Sequence, residues 1–155
     1  MRHKLSLYRL KERSPSLPNA RLPLWQRTGL IAAVAGVWGT GVLWYLAKSF
    51  GRREGLFGLE SHWIEFPARA AHGFAAVAFL VAVGSLVPFH FRAGWVSGTK
   101  RPSSLSLAWA SVVLILTGWG LYYVGGDALR RGLSMTHNVL GFLILPLFFI
   151  HARRP

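Results

Sequence analysis

The sequence predicts an all-α integral membrane protein, a bundle of four transmembrane helices with its N- and C-termini in the cytoplasm. Of its 155 residues, 52% are hydrophobic and only 15% are charged, whereas a soluble domain of this size carries about 25% charged residues. The charges are clustered between long uncharged runs, and four runs reach the ~20 apolar residues that a bilayer-spanning helix needs. Positive charge is also divided unevenly between the connecting segments.

The four uncharged runs give the domain organisation. Residues 1–27 are predicted to be a basic cytoplasmic tail, and residues 28–153 a transmembrane domain with helices at about 28–47, 70–91, 104–124 and 133–152. The first run is too long for a cleaved signal peptide, and no small-residue cleavage site follows it.

The longest predicted connection, residues 48–69, mixes apolar and polar residues. Its apolar members include Leu56, Phe57 and Trp63. This mixture predicts a short amphipathic helix on the outer membrane interface, which Pro67 would separate from the second span.

The basic residues predict the topology. With a cytoplasmic N-terminus, the cytoplasmic segments carry twelve basic residues against one acidic residue, and the outer segments carry six against four. By the positive-inside rule, both termini are therefore expected in the cytoplasm of a multi-pass protein of the bacterial inner membrane. The basic residues lie outside the apolar runs and no nucleic-acid-binding motif accompanies them, so the +13 charge predicts contact with lipid or protein rather than nucleic acid.

Histidines carry the functional signal. The chain has no cysteine, which excludes thiolate metal sites, iron–sulfur clusters and covalently attached haem. Six histidines are present. Four of them lie near the ends of the second and fourth predicted helices, one at each end: His72, His90, His137 and His151. Ionisable residues inside a membrane are rare and usually functional.

The spacing within each helix places both of its histidines on one stripe. At about 100° per residue, the 18 residues from His72 to His90 return to the same face, and the 14 from His137 to His151 fall about 40° short. Because the two helices run in the same direction, His72 and His137 are predicted near the outer face, and His90 and His151 near the cytoplasmic face. Facing imidazoles at each level could be the axial ligands of a low-spin haem iron.

Neighbouring residues also suit haem. Small residues would leave room for a flat macrocycle, and arginines close to the histidines would pair with its propionates; the candidates are Gly73, Gly84, Gly118, Gly120, Gly141, Arg69, Arg92 and Arg153. Each feature has an ordinary explanation too. Glycines let helices pack closely, arginines set topology, and a single histidine at a helix end is commonly an interfacial residue.

The two histidine spacings differ, so in straight helices the partners of both pairs cannot lie at equal depth in the membrane. They differ by four residues, or about 6 Å at 1.5 Å per residue, so straight parallel helices cannot bring both pairs level. Tilt, or kinks at Pro88 and Pro146, could absorb the difference. Otherwise His62, in the outer connection, could ligate or shield an outer cofactor or contact a quinol.

The pattern over residues 28–153 resembles the di-haem cytochrome b membrane subunits. The stretch from Thr117-Gly118 through His137-Asn138-Val139-Leu140-Gly141 to His151 is similar in texture to the last two helices of the haem-bearing anchors of bacterial formate dehydrogenase, hydrogenase and thiosulfate reductase type enzymes. The resemblance implies that His72, His90, His137 and His151 bind the irons of two b haems. The His72–His90 spacing is longer than the family's.

The sequence therefore predicts a transmembrane electron carrier that passes electrons between an outer and an inner haem. A quinone could be one redox partner and a periplasmic electron-transfer protein another, and the small chain would be a non-catalytic subunit of a larger oxidoreductase complex in the respiratory chain. Two alternatives stay open. One is a cofactor-free membrane anchor or assembly subunit; the other is a small transporter with histidines in a proton path, although no intramembrane carboxylate accompanies them.

Overall fold

Four long helices dominate the structure. A computed structural model describes residues 22–96 and 102–153; the remainder of the predicted tail, the connection around Lys100 and Arg101, and Arg154 lie outside the described residues. The helices are α1 (Leu24–Phe50), α2 (Glu65–Leu86), α3 (Pro102–Tyr123) and α4 (Asp127–Arg153). All four are long and apolar enough to cross a bilayer, which confirms the predicted set of four long apolar helices.

The helices extend beyond the apolar runs from which they were predicted. Helix α1 begins directly after Pro23, whose carbonyl accepts the amide of Arg27 at 3.0 Å. Helix α4 begins at Asp127 rather than near residue 133. The carboxylate of Asp127 in the first turn interacts favourably with the positive end of the helix dipole. Charged residues end an apolar run, but at a membrane interface they do not end a helix.

The helices form two hairpins, α1–α2 and α3–α4. Between the hairpins, α1 approaches α4, where Tyr45 and Phe142 make an edge-to-face contact with ring centroids 5.3 Å apart. Helix α2 and Tyr122 of α3 line a common groove. The order around the bundle is therefore α1, α2, α3, α4, with α2 and α4 diagonal, and no Cα pair within 8 Å joins these two helices in the part of the chain that the structure describes.

The two ends of the bundle differ, and we name them by their connections. The outer end carries residues 51–64 between α1 and α2 and the turn at residues 124–126. The inner end carries the first turns of α1 and α3. There Gln26 of α1 donates from Nε2 to the carbonyl and the hydroxyl of Ser85 in α2, both at 3.0 Å.

Small residues dominate the buried positions. The buried apolar residues of the described segments are Val34, Ala47, Ala68, Ala93, Ala110 and Ile144. No large side chain there is fully buried, and many large apolar side chains point outward, Phe74 with 80% exposure. Outward apolar faces suit a lipid surround, and small inward residues let the helices of each hairpin approach closely.

The outer connection is not the predicted amphipathic helix. It forms an antiparallel hairpin of β1 (Arg53–Gly55) and β2 (Gly58–Glu60), with Arg53 paired to Glu60. Gly58 has φ 111°, a backbone conformation that glycine adopts readily and that a tight turn requires. Pro67 lies in the first turn of α2, where a proline is tolerated because its missing amide has no helical partner.

Candidate haem-binding site

The structure brings together both predicted histidine pairs. The rings of His72 and His137 have centroids 6.2 Å apart with planes at 89°, and we call these the outer pair. The rings of His90 and His151 have centroids 6.3 Å apart with planes at 90°, and we call these the inner pair. Since α2 and α4 are diagonal, the histidines meet across the middle of the bundle.

The separation of the rings is suited to a shared metal atom. An imidazole nitrogen binds a transition metal at about 2.0 Å, and two such bonds in line, with about 1.1 Å from each nitrogen to its ring centre, separate the centroids by about 6.2 Å. An edge-to-face contact of two neutral rings falls in the same range, so distance by itself does not define the site. The hydrogen bonds of the outer rings show which ring nitrogen is available to a metal.

On the α1–α2 side, the backbone fixes the tautomer of His72. Its Nδ1 lies 3.0 Å from the carbonyl oxygen of Val37, which can only accept, so Nδ1 carries the proton. The hydroxyl of Thr40 lies 3.4 Å from the same nitrogen and is itself bonded to the carbonyl of Gly36 at 2.6 Å. Nε2 therefore keeps its lone pair, which is the state of a metal-binding histidine oriented by its other nitrogen.

The α3–α4 hairpin repeats this arrangement around His137. Its Nδ1 lies 3.0 Å from the hydroxyl of Thr117. Thr117 donates to the carbonyl of Val113 at 2.7 Å, so its oxygen accepts from Nδ1–H of the histidine. The outer pair thus presents two Nε2 lone pairs from equivalent surroundings.

A glycine follows each threonine and makes room for the histidine ring. A Cβ on Gly41 would lie 3.0 Å from Cε1 of His72, and a Cβ on Gly118 would lie 3.1 Å from Cε1 of His137. The sequence analysis predicted only that Gly118 leaves room for a flat macrocycle. It did not predict that Thr40 and Thr117 contact the histidine rings or that Gly41 makes room for one of them. A signal was present in the Thr-Gly dipeptides of α1 and α3, although α1 carries a second one, Thr28-Gly29.

The inner pair is less symmetric. His151 Nδ1 lies 3.4 Å from the hydroxyls of Ser103 and Ser104. His90 lies in a π-helical segment, Val87–Phe91, through which α2 continues into the helical residues Arg92–Val96. This segment includes Pro88, one of the two predicted kink sites; Pro146 lies within an unbroken α4.

The π-helical segment bears on the predicted mismatch of height. A π-helical turn holds more residues than an α-helical turn, so the segment advances less per residue and turns His90 differently from a regular helix. Both pairs meet, and no distortion of one pair is seen in the ring separations. Single π-helical turns are frequent at functional sites, and this one carries a candidate ligand.

Buried donors near the outer pair suit an anionic, planar group. The indole nitrogens of Trp38 and Trp44 are buried without a hydrogen-bond partner in the described residues. The ring of Trp44 lies 6.1 Å from that of His72, so Trp44 faces the outer pair. An indole N–H can donate only, and the carboxylate of a haem propionate could accept from it.

The donor set also matches haem in number. Among residues 22–96 and 102–153, no group of three or more histidine, cysteine or acidic side chains is placed to hold a metal ion. Each pair offers two imidazoles, the number of axial positions on a porphyrin iron. In ligand type and number, each pair could therefore hold the iron of a haem b.

Two of the arginines predicted for the site lie over aromatic rings. Arg69 stacks over the ring of Phe66 with its guanidinium carbon 5.5 Å from the centroid. Arg153 lies in the same way over Phe149 at 5.8 Å, and Arg92 is exposed. Both of these contacts are with phenylalanine rings, and a Cβ on Gly141 would lie 4.0 Å from Cδ2 of Leu114.

Comparisons of the chain with protein-family models, curated proteins and solved structures find no match. The fold and the site accordingly define only a class here, a four-helix protein suited to a membrane with two levels of paired histidines.

Proposed function

We propose that this chain is a transmembrane electron carrier of the di-haem b type, with one haem between His72 and His137 and another between His90 and His151. The observation that carries the proposal is the meeting of two histidine pairs across diagonal helices, at 6.2 and 6.3 Å. Haem b supplies reversible one-electron chemistry when it is bound.

The chain's own residues set the ligands and their separation. Val37, Thr40 and Thr117 hold the outer imidazoles with Nε2 available. The 14 residues between His137 and His151 correspond to about 21 Å along α4, which covers most of the ~30 Å hydrocarbon core of a bilayer. One candidate site then lies near each membrane face.

Charge supports an orientation and a location for this carrier. The inner end adjoins the segments that carry twelve of the eighteen basic residues, so we place it in the cytoplasm, with the protein in a bacterial inner membrane. Other subunits of a membrane redox complex, the quinone pool and a periplasmic electron-transfer protein are the proposed partners. No observation favours the transporter alternative.

Spectroscopy tests the proposal directly. We expect the protein, purified in detergent after expression with adequate haem supply, to show the sharp alpha band of bis-histidine haem b in its reduced-minus-oxidised spectrum. A pyridine haemochrome assay should count two haems per chain. A folded, haem-free protein would contradict the proposal and favour a cofactor-free membrane anchor.

The hydroxyl of Thr117 is expected to tune the outer haem. A hydrogen bond from Nδ1 makes the imidazole a stronger donor, which favours ferric iron, so Thr117→Val should raise the outer midpoint potential. One hydrogen bond of about 1 kcal/mol corresponds to about 40 mV for one electron. Redox titration of the alpha band measures the change, and Thr117→Ser, which keeps the hydroxyl, should stay near the unmodified value. An unchanged potential in the valine variant would refute this role.

A further inference from the structure

An apolar groove lies between α1 and α2, apart from the histidine pairs. It has a volume of about 640 Å³, and none of the described residues that line it is a histidine. Its rim points outward, with Trp25 71% exposed and Val81 69% exposed. Its floor consists of small residues such as Ala33 and Ala82. The groove therefore opens on the surface that would face lipid, and its volume is in the range of small-ligand sites.

The groove has the length of one membrane leaflet. The charged residues of α1 are Arg27 and Lys48, and their separation of 21 residues corresponds to about 31 Å, close to the ~30 Å hydrocarbon core. Along α1 the groove runs from Trp25 to Gly36, which is about 16 Å. The helices close at its far end, because a Cβ on Gly36 would lie 3.9 Å from Cβ of Ala75. The groove thus extends from the inner interface to about the middle of the bilayer.

The polar side chains that line the groove bond to each other. Gln26 donates from Nε2 to the carbonyl and the hydroxyl of Ser85, both at 3.0 Å, and this hydroxyl donates to the carbonyl of Ala82 at 2.7 Å. Gln26 and Ser85 lie at the inner end, and beyond them the lining consists of glycine, alanine, leucine and valine. An occupant must therefore be apolar along its length, since burial of apolar surface is what the groove offers it.

The inner end, where the groove begins, is positively charged. Arg27 follows Gln26 in the first turn of α1 and is exposed, and this turn contains no acidic residue. The N-terminal end of the α1 dipole is positive as well. Four of the five acidic residues of the chain lie at the outer end instead: Glu54, Glu60, Glu65 and Asp127. The charge at the inner end therefore favours an anionic head group.

We propose that this groove binds an acyl chain of an anionic phospholipid from the leaflet at the inner end, with the phosphate close to Arg27. A transmembrane helix of another chain is a poorer occupant, because it would extend through both leaflets whereas the groove closes at Gly36 and Ala75. A soluble anion has no part that would fill the apolar length. The site goes beyond the proposed electron transfer and does not depend on haem.

Head-group preference tests the charge of the site. Phosphatidylglycerol and phosphatidylcholine with identical acyl chains are titrated into the full chain in detergent, and bound lipid is measured by native mass spectrometry. A hydrogen bond between charged groups corresponds to about tenfold in affinity, so the unmodified protein should bind phosphatidylglycerol about tenfold more tightly. Arg27→Gln should abolish this preference, and Arg131→Gln, at an exposed position of the outer end, should retain it.

Filling the groove tests the acyl-chain position. Gly29 lines the groove, and a Cβ there meets no other atom within 4 Å, so the ring of Gly29→Phe can enter the groove. Displacing about two buried methylene groups corresponds to about tenfold in affinity, and both lipids should bind at least that much more weakly. Gly39→Phe is the matched control in the same helix, since its Cβ also meets no atom within 4 Å but it lies outside the groove.

Several results would overturn the site. These are equal affinities for the two lipids in the unmodified protein, a preference that survives Arg27→Gln, and equal binding by Gly29→Phe and Gly39→Phe at comparable thermal stability. Glycerol 3-phosphate carries the phosphate without an acyl chain, so its displacement of phosphatidylglycerol at equal concentration would also contradict the groove. The predicted lipid preference in a chain that takes up no haem would support the site and contradict only the proposed electron transfer.

Discussion

Replacing His137 by alanine is expected to remove the outer haem and leave the inner haem in place. His137 and His72 are the only histidines of the described residues whose rings meet at the outer level, with centroids 6.2 Å apart. Without one axial imidazole, an iron loses a strong ligand as well as the orientation that Thr117 provides. The pyridine haemochrome count should fall from two per chain to one, with a matching loss of intensity in the alpha band.

The controls for this variant come from the other histidines. His72→Ala should reproduce the loss, because it removes the facing ligand of the same pair. His62→Ala should keep both haems, since Nδ1 of His62 accepts from the backbone of Ile64 in the outer connection. Retention of two haems in both His72→Ala and His137→Ala would refute the pairing.

Gly41→Val is expected to remove the outer haem without altering any ligand. A Cβ at this position already lies 3.0 Å from Cε1 and 3.1 Å from Nδ1 of His72, and the two methyl groups of valine would extend into the ring. The imidazole must then leave the carbonyl of Val37, which fixes its tautomer. Second-shell changes of this kind typically weaken metal binding 10- to 100-fold. Haem content per chain, measured after purification, should therefore fall to about one.

Gly39→Val is the matched control for this substitution. It lies two residues earlier in the same helix, and a Cβ there meets no other atom within 4 Å. Both variants carry the same loss of side-chain freedom in a helix, so a difference in haem content isolates the contact with His72. Equal haem content in the two variants, at comparable thermal stability, would show that the glycine at position 41 does not position the ring.

Composition and periodicity were enough to predict the helices and the histidine pairs. Long uncharged runs predict bilayer-length helices because a bilayer core offers backbone groups no partner but the helix itself. Helical periodicity then predicts that His72 and His137 share one level and His90 and His151 another, since both helices run in one direction. The arrangement of the rings agrees with that prediction at both levels.

The supporting residues could not be predicted in the same way. The contact between Thr40 and His72 joins residues 32 positions apart, and it depends on how α1 packs on α2. The outer connection was predicted as a helix from its mixed composition, but pairing of Arg53 with Glu60 around Gly58 gives a β-hairpin. Cross-strand pairing is a non-local choice that a local pattern of apolar residues does not encode.

The sequence by itself determined that this protein has four bilayer-length helices with histidines in matching positions on two of them, because hydrophobic length and helical period are local properties of the chain. Only the tertiary structure decided that α2 and α4 are diagonal, that Val37, Thr40 and Thr117 fix the outer rings, and that His90 meets His151 through a π-helical segment. These features arise from close contact between helices, where a hydroxyl, a carbonyl or a missing Cβ acts over a few ångströms.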